Sequence, residues 1–216
     1  GLLLSCEAAL NTIFGYKPIP KGGTFELERF VFLTSNPGKE YDGADFSGRK
    51  EIKQGEDSEI SPTFFRPSDV TVGPDGAIYF ADWFDPRIGA SSHLDESFSG
   101  TIYRVAPKGF KPKIPKIDLT NINGQIMALR SPAINTRYLG FKSLKSQGEK
   151  ASNYVFKQLD DANKWIAARA VWLLPYIGSQ GIDNCIKMLE DENSDERVVA
   201  YRSLRRAGHD MIPHAR

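Results

Sequence analysis

The sequence has few cysteines, no long apolar run and almost no net charge, and each shortage removes a class of answer. Cys6 and Cys185 are the two cysteines among 216 residues. They sit far apart, in segments of different character, which excludes a disulfide framework. No CxxC or CxxCH occurs, so this stretch holds neither a zinc ribbon nor a c-type haem attachment site. No run approaches the roughly 18 apolar residues of a membrane-spanning helix. A formal net charge of +1 gives no reason to expect nucleic acid or an anionic membrane surface as a partner. A hydrophobic content of 40% and a charged content of 25% are ordinary for a globular protein. The length allows one large domain or two modest ones.

The chain opens Gly1-Leu2-Leu3-Leu4-Ser5-Cys6 with no initiator Met and no basic leader, and it stops just after a helical pattern. The opening apolar run is too short for a signal-peptide core and reads as strand. The expectation is a piece of a longer protein.

The first half reads as strands. "GLLLSCE", "NTIFGYKPI" and "TFELERFVFLTS" are short runs of β-branched and aromatic residues, punctuated by Gly22-Gly23 and Pro37-Gly38. Residues 35–62 are rich in Gly, Asp, Glu and Lys and read as a long loop. In "SDVTVGPDGAIYFADW", Val70 and Val72 alternate with polar neighbours. Pro74-Asp75-Gly76 is a turn in which Pro presets φ and Asp and Gly accept the tight positions. "AIYFADW" returns as the partner strand and "GTIYRVA" follows as a third, so the reading is a three-stranded meander. From Lys108 to Ile117 the density of Lys and Pro predicts an extended linker.

The second half repeats at an offset of 30 residues: Leu144, Leu174 and Leu204 match, as do Gly148, Gly178 and Gly208, and Gly140, Ala170 and Ala200 are all small. Asp161 pairs with Asp191 and Asn163 with Asn193. Each unit fits two helices. Tyr138, Phe141 and Leu144 form the apolar stripe of one, Ala170, Leu174 and Ile177 that of its successor, and Ile182, Ile186 and Leu189 that of a second helix. The glycines fall where a helix end needs a left-handed residue, and the Asp and Asn positions where they can cap the next helix. Two-helix units at a short fixed period predict an α-solenoid.

The stretch "FRPSDVTVGPDGAIYFADWFDP", followed by "GTIYRVAPKG", resembles the final β-propeller blade of soluble quinoprotein glucose and sorbosone dehydrogenases. More closely it resembles the predicted membrane-bound or secreted dehydrogenases of planctomycete and verrucomicrobial type. There a propeller precedes HEAT-like repeats and often a c-type haem domain, and "YLGFKSLKSQG" and "RVVAYRSLRRAGHD" resemble the helical part. The resemblance implies a mixed fold, all-β then all-α: the last one to two blades of a propeller at 1–108, a Lys/Pro-rich linker at 109–129 and a HEAT-like solenoid at 130–216. It implies a fragment, inactive alone, of a sugar or alcohol dehydrogenase that transfers hydride to pyrroloquinoline quinone (PQQ) with Ca²⁺ assisting. A c-type haem domain or cytochrome would accept the electrons, in a periplasmic, secreted or membrane-associated setting. The alternative is a non-catalytic propeller and solenoid module that binds carbohydrate or protein.

The resemblance makes the span 82–100 a loop at a channel mouth, where ligand sites gather. Asp82, Asp85 and Asp95 offer hard oxygen ligands suited to Ca²⁺, with Asp85 and Asp95 the metal candidates; Asp residues in loops also cap turns and meet water. His93 can take a proton from a hydroxyl, or lie exposed. Arg66 and Arg87 present forks that match a quinone carboxylate, or form surface ion pairs. Asp69 and Asp82 are cofactor-side candidates whose plainer role is to accept backbone N–H bonds. Trp83 can stack on a planar cofactor or sugar, or simply pack. Cys6 and Cys185 read as small buried apolar residues. His209 and His214 read as residues at a helix C-terminus. Arg197, Arg202, Arg205, Arg206 and Arg216 against Asp210 read as a solvated basic face or a docking surface.

Overall fold

The computed structural model describes residues 1–22, 24–37, 65–83 and 100–214. They divide into two compact units, Gly1–Gly73 with Ala77–Lys111, and Pro74–Gly76 with Pro112–Arg216.

Among its described residues the first unit holds six strands in two antiparallel sheets. The first sheet runs β1 (Leu3–Glu7), β2 (Thr12–Lys21), β3 (Thr24–Thr34); the second runs β4 (Pro67–Val72), β5 (Ile78–Asp82), β6 (Thr101–Val105). In both, the strands lie side by side in chain order, and tight turns return β2 beside β1 and β5 beside β4. Asn11 adopts φ 54° at the β1–β2 turn and Gly22 φ 57° at the end of β2. Such values suit the turns that match strand twist. In the second sheet Gly73 donates to the carbonyl of Ala77 at 2.9 Å and Gly76 sits at φ 84°, as the Pro-Asp-Gly reading anticipates. β2 pairs with β3 from Thr12 opposite Thr34 to Lys21 opposite Thr24, with a bulge at Ile13/Phe14. Ile13 and Phe14 are buried in the first sheet and Phe80 in the second. The rings of Phe65, Phe80 and Tyr103 pack together, Phe80 stacked on Tyr103 at 5.2 Å and edge-on to Phe65 at 5.7 Å.

The second unit holds α1 (Ile122–Arg130), α2 (Ile134–Gln147), α3 (Ser152–Phe156), α4 (Lys164–Val171), α5 (Ser179–Lys187) and α6 (Ser194–Arg206), with 3-10 turns between several of them. The 30-residue correspondence holds position by position. Leu144, Leu174 and Leu204 are all buried, and so are Ala170 and Ala200. Gly140, at the same position of the first period, packs so close to α1 that a Cβ there would fall 2.5 Å from the Leu129 nitrogen. Gly148, Gly178 and Gly208 all take positive φ, at 57°, 104° and 88°, which lets the chain leave a helix without Cβ strain. Asp161 and Asp191 accept the N–H of Asn163 and Asn193 at 2.9 and 2.8 Å. Those asparagines in turn cap α4 and α6 by accepting from Trp165 and Asp195 at 3.0 and 2.9 Å.

The architecture expected from these patterns is not what forms. A propeller repeats four-stranded blades around a channel. Among the described residues there are two three-stranded sheets and no closed ring. A solenoid stacks units that meet only their neighbours. Here the buried residues from Ile126 to Leu204, drawn from all three periods, share a single core. The described chain is thus a small mixed assembly of two antiparallel sheets and short helices, neither partial propeller nor HEAT-like solenoid. The expected linker at 109–129 also shortens, because α1 begins at Ile122, capped by the Asn121 side chain. Tyr138 does not join the apolar stripe: it is 64% exposed, while Leu144 is buried. Steps of three residues drift around a 3.6-residue helix.

Candidate functional site

Four of the eight expected site residues fall within the described chain, and they are Arg66, Asp69, Asp82 and Trp83; Asp85, Arg87, His93 and Asp95 lie outside it. Arg66 and Asp82 do come together. Pairing of β4 with β5 sets Pro67 opposite Asp82, so the residue before β4 meets the end of β5. The Asp82 Oδ1 accepts the backbone N–H of Arg66 at 2.8 Å, and the Arg66 carbonyl accepts the N–H of Trp83 at 2.9 Å. The Arg66 guanidinium turns inward. Its Nη1 donates to the carbonyl of Ala8 at 3.0 Å, and the neighbouring Phe65 carbonyl accepts from the Asn11 side chain at 2.8 Å. Arg66 is 2% exposed and Asp82 7%.

These bonds join the turn after β1 to the start of β4, and they decide what the pair can do. A guanidinium that clamps a quinone carboxylate must present its fork to an opening. Arg66 spends Nη1 on a main-chain carbonyl and is buried, so it does not fit that task. Asp82 accepts a main-chain N–H, the structural role weighed for it above. Asp69 is exposed on β4 and accepts the N–H of its neighbour Val70 at 2.8 Å. Trp83 is 67% exposed. Among the described residues no three His, Cys, Asp or Glu side chains gather as a metal site.

Cys6 is half-buried, and burial, then the charge of Asp69, holds its thiol above the ordinary range. Burial pushes the Cys185 thiol up to about 11. Neither matches the electropositive setting of a reactive thiolate. His209 and His214 donate backbone N–H bonds to Leu204 and Met211 beyond α6.

Sequence reasoning missed a cluster of arginines around the α1–α2 turn. Arg137 directs Nη1 at the carbonyls of Ser131 and Pro132, at 3.3 and 2.5 Å. Arg169 on α4 directs its own Nη1 at the carbonyls of Leu129 and Ser131, at 3.1 and 3.4 Å. Two guanidinium groups therefore meet at one oxygen. Arg130 ends α1 and pairs with Asp161 and with the Gln158 side chain at 2.7 Å. Burial lowers the pKa of Arg169, and the nearby charges of Arg137 and Arg130 lower it further. One signal was available: Arg197, two periods after Arg137, bonds the carbonyls of Asp191 and Glu192 in the same way.

No family model and no curated protein matches the chain.

Proposed function

We propose that the chain is a non-catalytic binding module for a protein or carbohydrate partner. The observation that carries this reading is the use made of Arg66 and Asp82. The buried charged groups of the expected site are bonded to main chain, where they hold the two sheets together. Large apolar groups, by contrast, are left outside. Phe25, Leu27 and Val31 alternate along β3, an edge strand among the described residues, and all three are exposed. Tyr138 and Trp165 are exposed on α2 and α4. Exposed apolar and aromatic groups of this kind characterise partner-binding surfaces.

The competing proposal is the quinoprotein reading, and Trp83, exposed beside Asp82, is the observation in its favour. PQQ would supply the hydride acceptor, for a sugar or alcohol substrate, with Ca²⁺ assisting. This chain would contribute Trp83 as a stacking surface, with Arg87, Asp85, Asp95 and His93 outside the described residues.

One experiment separates the two. The chain is titrated calorimetrically with oligosaccharides and with acidic, basic and neutral peptides. In parallel it is incubated with PQQ, Ca²⁺ and a sugar panel while reduction of a redox dye is followed. Saturable binding without dye reduction supports the module. Quinone-dependent dye reduction overturns it.

A further inference from the structure

Three arginines gather at the α1–α2 turn, and one of them, Arg130, pairs with a carboxylate. That carboxylate, Asp161, is already committed: Oδ2 pairs with Arg130, and Oδ1 accepts the Asn163 N–H at 2.9 Å. Arg137 and Arg169 reach the helix-end carbonyls through Nη1 alone. Their Nε and Nη2 edges have no protein acceptor among the described residues. Half-buried guanidinium groups with donor edges left over can recognise oxyanions. Exposed aromatic residues stand close by in the chain, with Tyr138 next to Arg137 on α2. Trp165 is 55% exposed and lies one turn before Arg169 on α4, on the same helix face. Residues 112–216 carry 16 Lys and Arg against 11 Asp and Glu, so the long-range field of this unit also favours an anionic partner.

We propose that Arg137 and Arg169, with Tyr138 and Trp165, form a docking site for an acidic peptide segment. The inference rests on the binding-module reading and specifies its partner. A free inorganic anion would use the guanidinium edges alone. A peptide carboxylate places neighbouring side chains over Tyr138 and Trp165, and such aromatic and arginine anchors supply most of the energy in peptide interfaces. Arg130 keeps its bond to Asp161 and sets the local field.

The test uses the full chain and a labelled Glu/Tyr peptide, followed by fluorescence anisotropy, with a Lys/Tyr peptide and inorganic phosphate as comparisons. The Glu/Tyr peptide is expected to bind saturably and to weaken as salt rises, while the Lys/Tyr peptide does not bind. Arg169→Gln and Trp165→Ala should each weaken binding about tenfold, the scale of one lost charge-assisted or aromatic anchor. Trp165 is exposed, so its variant keeps the fold even if Arg169→Gln loosens the turn, and circular dichroism checks both. Arg169→Lys keeps the charge but not the fork and should bind between wild type and Arg169→Gln. Arg205→Gln, at the far end of α6, should bind as wild type does. Equal loss in Arg205→Gln, or displacement of the peptide by millimolar phosphate with no effect of Trp165→Ala, overturns the peptide site. If the Glu/Tyr peptide fails while an oligosaccharide binds, this inference falls and the module reading survives. Quinone-dependent dye reduction brings down both.

Discussion

Asp82 Oδ1 lies 2.8 Å from the backbone nitrogen of Arg66, and the Arg66 carbonyl accepts the N–H of Trp83 at 2.9 Å. The two residues close a ring of bonds where β4 begins and β5 ends. The Arg66 side chain, reaching the Ala8 carbonyl, carries that ring across to the first sheet. Among the described residues of this unit, Ile13, Phe14, Pro67, Ala77 and Phe80 are buried apolar side chains, and the bonds of Arg66 and Asp82 add buried polar order beside them.

Removing the acceptor should be costly. Asp82→Ala strands the Arg66 N–H inside the unit, a penalty of about 1–3 kcal/mol. Asp82→Asn keeps an oxygen in the same place and should cost less. Urea denaturation of the full chain, read by circular dichroism in the strand region, measures both. An Asp82→Ala variant as stable as wild type would mean the bond is incidental.

The second unit makes a sharper forecast, because one shared core and a stack of independent units predict different unfolding. Leu144→Ala, Leu174→Ala and Leu204→Ala each empty a buried site and should cost about 2–5 kcal/mol. Leu139→Ala, on an exposed position of α2, should stay within about 0.5 kcal/mol. With the core shared, all three buried variants should shift one helical transition as a whole. Stepwise melting localised to the mutated period would restore the stacked-unit picture.

The two repeated turns offer a matched pair. Asn163→Ala and Asn193→Ala each remove a helix cap and should each cost about 1 kcal/mol, the double variant close to the sum. Asp161 adds a pH signature. Its bond with Arg130, then the Asn163 N–H, holds its carboxyl below the ordinary carboxylate range. A depressed folded pKa means stability present above about 3.9, the unfolded value, and lost as pH falls through the folded value. The advantage of wild type over Asp161→Asn should therefore be full near neutrality and shrink in acid. An advantage that does not change with pH would exclude this linkage.

The strands were legible because their signals are local. Val70 and Val72 alternate, and Pro74-Asp75-Gly76 turns the chain by its own φ preferences, so β4 and β5 follow from a dozen residues. The period was legible for the same reason: Leu174 and Gly178 do in one helix pair what Leu204 and Gly208 do in the next. What the pattern could not carry was the number of strands a sheet collects and whether helix pairs stack or pool their cores, since both depend on pairings distant in sequence. α1 escaped notice because Pro112 and Pro115 colour the segment before it, although Asn121 was an available cap. Arg66 misled for a physical reason. A guanidinium written in a polar, loop-like context reads as a ligand clamp, and only the fold shows it turned toward the Ala8 carbonyl.

Cys185 gives the last test, and its sign can be worked out in advance. The side chain is fully buried against α6, with Sγ 3.8 Å from the Ala200 carbonyl, and burial pushes the thiol up to about 11. The folded state thus disfavours the thiolate, whereas the unfolded chain releases its proton near about 8.5. Stability from this group is complete below that value and is lost as pH rises toward the folded pKa. Lysines and tyrosines also titrate in that window, so the informative quantity is the difference between wild type and Cys185→Ala. That difference should shrink as pH climbs from about 8.5, because only wild type has a proton to lose at this site. Thiol labelling checks the same physics without titration. At about pH 8 half-buried Cys6 should react with a disulfide reagent well before Cys185, whose reaction should wait on opening of the helical core and speed up with added urea. Equal labelling of both cysteines in the absence of urea would show that the core around Cys185 is not closed.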